Sequence, residues 1–151
     1  MNISAKNLMS SELWVDLLKL FWPPMVVLTV HVFISHGIHL YALLPWIDIP
    51  MHYLGGLSVA YSLFRALTVL QEHRIIHPLD KAIALLLTFT LVATIAVFWE
   101  FAEFSMDQLL KTNVQISLQN TMQDLFMGML GAATVGGYKI MKKQGDPPVL
   151  D

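Results

Sequence analysis

The sequence predicts an all-α bundle of helices crossing a membrane. Two observations carry this. Of 151 residues, 56% are hydrophobic and only 13% charged, where soluble domains carry about 25%; the mean hydropathy is +0.60. Four apolar stretches, residues 24–44, 49–70, 82–104 and 121–140, are each close to the roughly 20 residues that cross about 30 Å of hydrocarbon. They are expected to form one membrane domain over residues 1–151.

The elements follow in order. Met1 to Ser11 is polar and lacks the basic-then-apolar order of a cleavable signal, so the first hydrophobic span is expected to stay in the protein. Residues 11–22 read as an amphipathic helix at the membrane interface, with Leu13, Trp14, Leu17, Leu18 and Phe21 on one side and Glu12, Asp16 and Lys19 on the other. Ser10 or Ser11 can cap it, and Pro23 and Pro24 stop or bend it. An extension of the first spanning helix is the alternative. The third span is the clearest, since Ala82 to Trp99 carries no charge, and the fourth is the least apolar, being rich in glycine.

Some functions are excluded at once. With no cysteine, disulfides, thiolate metal sites and cysteine nucleophiles are out. A net charge of -2, with no basic face, argues against a nucleic-acid partner. There is no Gly-x-Ser-x-Gly, no HExxH and no P-loop.

Basic residues orient the bundle. With four spans, Lys6, Lys19, Arg65, Arg74, Lys81, Lys139, Lys142 and Lys143 fall on one side and only Lys111 on the other. Both termini are therefore expected in the cytoplasm, with the protein in the inner membrane.

On this map the acids converge. Asp48 and His52 open the second span, Glu100, Glu103 and Asp107 close the third, and Asp124 opens the fourth. All lie at the outer end. Asp48 and His52 are i,i+4, and Glu100, Glu103 and Asp107 are i,i+3,i+7, so each set shares a face. Gly55, Gly56 and Ala60, then Ala93 and Ala96, then Gly128, Ala132 and Gly136, continue these faces as small-residue surfaces for close helix approach. The acids should thus point at neighbouring helices, where a carboxylate costs roughly 2.5–3.5 kcal/mol at a span's centre and less near its end. A divalent cation would offset that cost, and carboxylates with an imidazole suit zinc, manganese or iron. The expected metal ligands are His52, Glu100, Glu103 and Asp124; Asp48, oriented behind His52, and Asp107 are the expected catalytic acids.

Simpler roles compete. Asp48 can cap its helix before Ile49-Pro50, Asp124 can sit in a first turn and favour the dipole, Asp107 can be solvated, and His52 can be a packing histidine. His31, Ser35 and His39 of the first span recur at i,i+4,i+8 with His36 nearby; His36 and His39, toward its outer end, can complete the site, ligate a haem with His52, or lie at the interface. His73 and His77 read as solvated. Between residues 109 and 120, Val114, Ile116 and Leu118 alternate with Gln115, Ser117 and Gln119; this period-two pattern fits an extended piece lying over the acids as a lid, or an interfacial loop.

Three motifs carry a resemblance. Asp48-Ile-Pro-Met-His52-Tyr-Leu-Gly55-Gly56 is similar to D-x-x-x-H-x-x-G-G, and Trp99-Glu100-Phe-Ala-Glu103 with Asp107 to W-E-x-x-E and its following Asp. Asn120-Thr121-Met-Gln-Asp124-Leu125 with Gly131-Ala132 is similar to D-T-x-x-D-L…G-A. Together, over about residues 46–137, they resemble the YjdF-like integral membrane proteins of bacteria and archaea and, more loosely, VanZ-like proteins. Asn120 stands where that pattern has Asp, which makes it a weak ligand. The resemblance implies a multi-pass inner-membrane protein and no particular activity. The residues themselves point to a metal-dependent hydrolase or transferase acting on a lipid or envelope precursor. The alternatives are an ion- or proton-coupled transporter or binding protein, and a non-catalytic accessory subunit. Membrane lipids are the expected partners, and the small-residue faces are compatible with a homo-oligomer.

Overall fold

The computed structural model describes residues 11–38 and 40–142, with all their side chains except those of His36 and Ala42. The expectations for Lys6, His39, Lys143 and the His36 imidazole fall outside the described residues. Among the described residues six α-helices follow in order: α1 Ser11–Lys19, α2 Trp22–Val32, α3 Leu40–Leu43, α4 Asp48–Glu72, α5 Lys81–Leu110 and α6 Leu118–Met141. There is no strand among the described residues, so the all-α bundle stands.

Among the described residues three segments are long and apolar enough to cross a membrane: Ser11–Ser35, Pro45–Glu72 and Lys81–Leu110. The 24-residue α6 has the length but is not among them; its glycines and its polar first turns lower its hydropathy. The bundle is built inside out. Leu86, Phe98, Phe101, Phe126 and Ile140 are exposed, while Ser58, Thr88, Glu100, Glu103 and Asp124 are buried. An apolar outer surface of this extent suits hydrocarbon rather than water.

The first apolar stretch does not run as one α-helix from 24 to 44. The α-helical pattern ends at Val32, a π-helical turn covers Phe33–Gly37, and α3 resumes for one turn. Residues 11–22 also divide earlier than expected. Here α1 ends at Lys19 and α2 starts at Trp22 with proline in its first turn, where a missing N–H costs nothing. Leu13 is buried, while Trp14, Leu18 and Phe21 are exposed.

The seam between α4 and α6 forms the centre. A Cβ on Gly56 would collide with the Gly128 carbonyl, and one on Gly131 would collide with the Tyr53 carbonyl and approach Leu57 N at 2.6 Å. The backbones touch because nothing separates them. Below this contact Ala60, Val92, Ala132 and Val135 form the buried apolar core. Gly55 and Gly136 lie off the seam, with nothing within 4 Å of a Cβ at either. The small-residue series therefore marks the seam at Gly56, Ala60, Gly128 and Ala132 and misses it at those two positions.

The ends of the bundle differ in charge. At one end Lys81 Nζ donates to the Lys142 carbonyl at 3.3 Å, Lys139 lies 4.7 Å from the centre of the Phe64 ring, and Arg65 pairs with Glu72 at 3.0 Å. His73 Nε2 stands 3.5 Å from Asp16 Oδ2 and ties α1 to this end, rather than being merely solvated. Asp48, Glu100, Glu103 and Asp124 lie at the other.

Candidate functional site

Three helices bring the acids together. Pro45–Ile47 forms a 3-10 turn that leads into α4. Asp48 is the first residue of α4, and the N-cap is Ile47, which makes no side-chain cap. The capping role for Asp48 is therefore not used. Asp124 is not in a first turn either: α6 starts at Leu118, three residues earlier than expected, because Ser117 caps it by accepting from Asn120 N at 3.1 Å. Asp124 thus sits almost two turns inside, beyond the reach of the helix end, and is 1% exposed. On α5, Glu100 and Glu103 are 4% and 6% exposed.

His52 is the hub. Asp48, His52 and Asp124 can each offer a donor atom so that all lie within 4.8 Å of one another, and so can His52, Glu100 and Glu103. Nε2 of His52 is 3.4 Å from Asp48 Oδ1 and 3.9 Å from Asp124 Oδ1. Metal–ligand bonds of about 2.0–2.2 Å hold donors up to about 4.4 Å apart, so small side-chain rotations close either set on an ion. Asp48, expected behind His52, instead faces the nitrogen that Asp124 also faces.

The surrounding hydrogen bonds are selective. Trp99 Nε1 donates to Glu103 Oε1 at 2.8 Å, and Gln115 Nε2 donates to Glu100 Oε2 at 3.1 Å. Asn120 Nδ2 donates to Asp48 Oδ2 at 3.4 Å, so its amide serves a carboxylate. His52 Nε2 and both oxygens of Asp124 have no hydrogen-bond partner among the described residues. A buried carboxylate with no donor costs several kcal/mol. Four carboxylates within reach of one imidazole add to this, since two charges 4.8 Å apart repel by about 3 kcal/mol at an effective dielectric of 20. The donor set, two triads that share His52 and include the unpartnered atoms of His52 and Asp124, fits a divalent cation.

Asp107 lies outside the cluster. Its Oδ1 accepts from Thr112 Oγ1 at 2.6 Å and Val114 N at 2.8 Å, and Oδ2 accepts from Gln115 N at 2.9 Å. It is therefore not merely solvated: it anchors the turn after α5, which Lys111 closes in the left-handed conformation with φ 57°. The chain from 111 to 117 has no regular structure and crosses toward Glu100, where Gln115 also bonds the Glu100 carbonyl at 3.2 Å. Replacing Asp107 with alanine is expected to free this turn. Hydrogen exchange should rise at Val114 and Gln115 by an order of magnitude or more, with α5 and α6 unchanged; protection equal to wild type would contradict the anchoring role.

Residues that spacing alone did not place complete the surroundings. His31 Nδ1 is 2.8 Å from the Tyr41 hydroxyl, and its ring meets Trp99 edge-on at 5.4 Å. Through Trp99, His31 is thus linked to Glu103. The sequence signal for Trp99 is its place in the W-E-x-x-E motif; Tyr41 has none.

Comparison with known proteins gives two relations. The chain is 32% identical over 96 residues to an uncharacterized protein of Thermotoga maritima; the match takes in 63% of this chain and 48% of the relative, so the chain spans about half that relative's length. No solved structure matches. A family described as "Predicted membrane protein (DUF2238)" matches residues 17–143, nearly all of the described bundle, and the chain belongs to that family.

Proposed function

We propose that this membrane protein is a metal-dependent hydrolase or transferase, with its cation held by His52, Glu100, Glu103 and Asp124 at the outer face of the inner membrane. One observation carries the reading: Asp124 is 1% exposed and neither of its oxygens has a hydrogen-bond donor among the described residues. Such a group is kept either protonated or met by a positive charge, and a cation beside the His52 imidazole, 3.9 Å away, would supply the second. Zinc, manganese or iron suits the mixed oxygen and nitrogen set. The bias of basic residues supports a cluster on the outside and both termini in the cytoplasm, which makes a lipid or envelope precursor the accessible substrate. The three motifs support the YjdF-like resemblance as the finer family assignment. The fourth span is α6, carried through the bilayer by its seam with α4.

Asp48 is the general base. It is the most accessible acid of the cluster, with its side chain 20% exposed, and Asn120 holds its other oxygen. A cation held by the four ligands would make a nearby water more acidic; Asp48 would accept the proton of the water that attacks an ester or anhydride bond of the substrate and return it to the leaving oxygen. Gln115 bridges the turn to Glu100, so the segment 111–117 acts as a cover over the cluster.

A transporter is the second reading, since buried acids mark ion paths. Below His52, however, the buried polar side chains among the described residues are hydroxyls, those of Ser58, Ser62 and Thr88, which supports a fixed site over a path. Purified protein is expected to carry near-stoichiometric metal by elemental analysis. The Glu100→Gln, Glu103→Gln double variant is expected to lose at least nine-tenths of it. Retention of metal in that variant sinks the ligand assignment, and metal-independent proton flux in proteoliposomes would favour the transporter.

A further inference from the structure

One divalent cation does not neutralise the cluster at the end of the bundle. Among the described residues no lysine or arginine pairs with Asp48, Glu100, Glu103 or Asp124; the one basic group in ion-pair reach of any of them is His52. Trp99, Gln115 and Asn120 bring neutral donors. Four carboxylates thus gather round one imidazole, and a divalent cation cancels two of their charges. The other two stay between packed helices, where uncompensated charge is costly.

Geometry divides the cluster in two. Asp48, His52 and Asp124 form one triad whose donor atoms lie within 4.8 Å of one another, and His52, Glu100 and Glu103 form another. The unpartnered Nε2 of His52 can bind a single ion. A second ion must therefore be held by carboxylate oxygens. Asp124 has one to give: it is 1% exposed, and both of its oxygens lack a donor among the described residues. A carboxylate can give one oxygen to each of two cations about 3.5–4 Å apart. Asp48 supplies the next ligand. Asn120 holds its Oδ2, while its Oδ1 stands 3.4 Å from His52 Nε2, the atom that Asp124 Oδ1 approaches to 3.9 Å.

We infer that the cluster takes a second divalent cation, bound between Asp48 and Asp124. The inference rests on the reading above, in which His52, Glu100, Glu103 and Asp124 hold the first. The second is held more weakly, because it has two protein ligands where the first has four. The side chain of Asp48 is 20% exposed, so water completes the shell. Manganese and magnesium suit such a place, since they take oxygen ligands and keep waters beside one or two carboxylates. With both cations bound the cluster is neutral. The second cation also occupies the oxygen with which Asp48 accepts a proton, so the singly loaded chain is the form that carries the base.

The test uses the full chain in detergent, stripped with chelator and titrated with manganese. Bound metal is counted after equilibrium dialysis and followed by electron paramagnetic resonance. The wild type is expected to bind two ions per chain, the second about tenfold or more below the first in affinity. As the second binds, the spectrum of an isolated ion should give way to that of an exchange-coupled pair. Asp48→Asn is expected to keep the first ion and lose the second, with the isolated-ion spectrum at every concentration. Asp107→Asn, whose carboxylate lies outside the cluster, is expected to keep both ions and their coupling. One ion per chain at saturation would show that protons hold the remaining charge, and would overturn the inference. So would two ions without coupling, a second ion that persists in Asp48→Asn, or loss of both ions in that variant. The two readings fail separately: a wild type that binds no manganese, zinc or iron removes the first cation too, whereas one that binds a single ion removes the second alone.

Discussion

Asp124→Asn is expected to abolish the stabilisation that a divalent cation gives this protein. At a metal concentration one hundred times the dissociation constant, the wild type should gain about 2.7 kcal/mol. The variant should gain less than about 0.5 kcal/mol, because an amide offers no charge and one oxygen in place of two. The metal-free proteins separate the causes. With no cation present, Asp124 is a buried carboxylate without a donor, so removing its charge should leave stability equal or raise it by about 1–3 kcal/mol. The expected pattern is therefore a variant at least as stable as wild type in chelator and less stable in metal. Thermal unfolding in detergent with chelator, zinc or manganese reads both arms. Equal metal responses in wild type and variant would remove Asp124 from the site, and a variant unstable in both conditions would make its role structural.

Gly56→Leu is expected to break the bundle at its seam. The new Cβ would overlap the Gly128 carbonyl, and the obstructing atoms are backbone, so neither helix can yield by rotating a side chain. Inserting bulk into a tight contact costs about 1–3 kcal/mol, and here the larger end of that range applies, since α4 and α6 must separate. Metal should be lost as well, because that separation moves His52 away from Asp124. Gly136→Ala is the control. Nothing lies within 4 Å of its Cβ, and alanine in a helix interior is worth about 0.5–1 kcal/mol over glycine. The control should be neutral to stabilising and keep full metal. Equal unfolding temperatures for Gly56→Leu and wild type would mean that the seam does not hold the site together.

Much of the site is legible in the sequence because it depends on composition and short-range geometry. Asp48 and His52, or Glu100 and Glu103, share a face whenever those residues are helical, and burial in a membrane bundle leaves an interior helix face as the only place for them. Periodicity misjudges the boundaries. Asp124 reads as a first-turn acid because Thr121 looks like the start of its span; the cap at Ser117 moves that start and with it the meaning of the residue. Asp107 lies on the same stripe as Glu100 and Glu103, yet its oxygens turn to Thr112, Val114 and Gln115 once the chain reverses at Lys111. Helical phase carries no information about the chain beyond a helix's last residue.

Residue chemistry and a period of 3.6 are enough to put helices across lipid, to give three of them acids at one end, and to supply the small residues that let them approach. Each of these properties belongs to a residue and its near neighbours in the chain. Packing between helices was needed to make His52 the point where the acid sets meet, to leave Asp124 without a donor, and to leave a cavity beside the cluster lined by α2, α4 and α5. These are distances between helices remote in the chain. They depend on which glycine meets which carbonyl, and no local pattern contains that information.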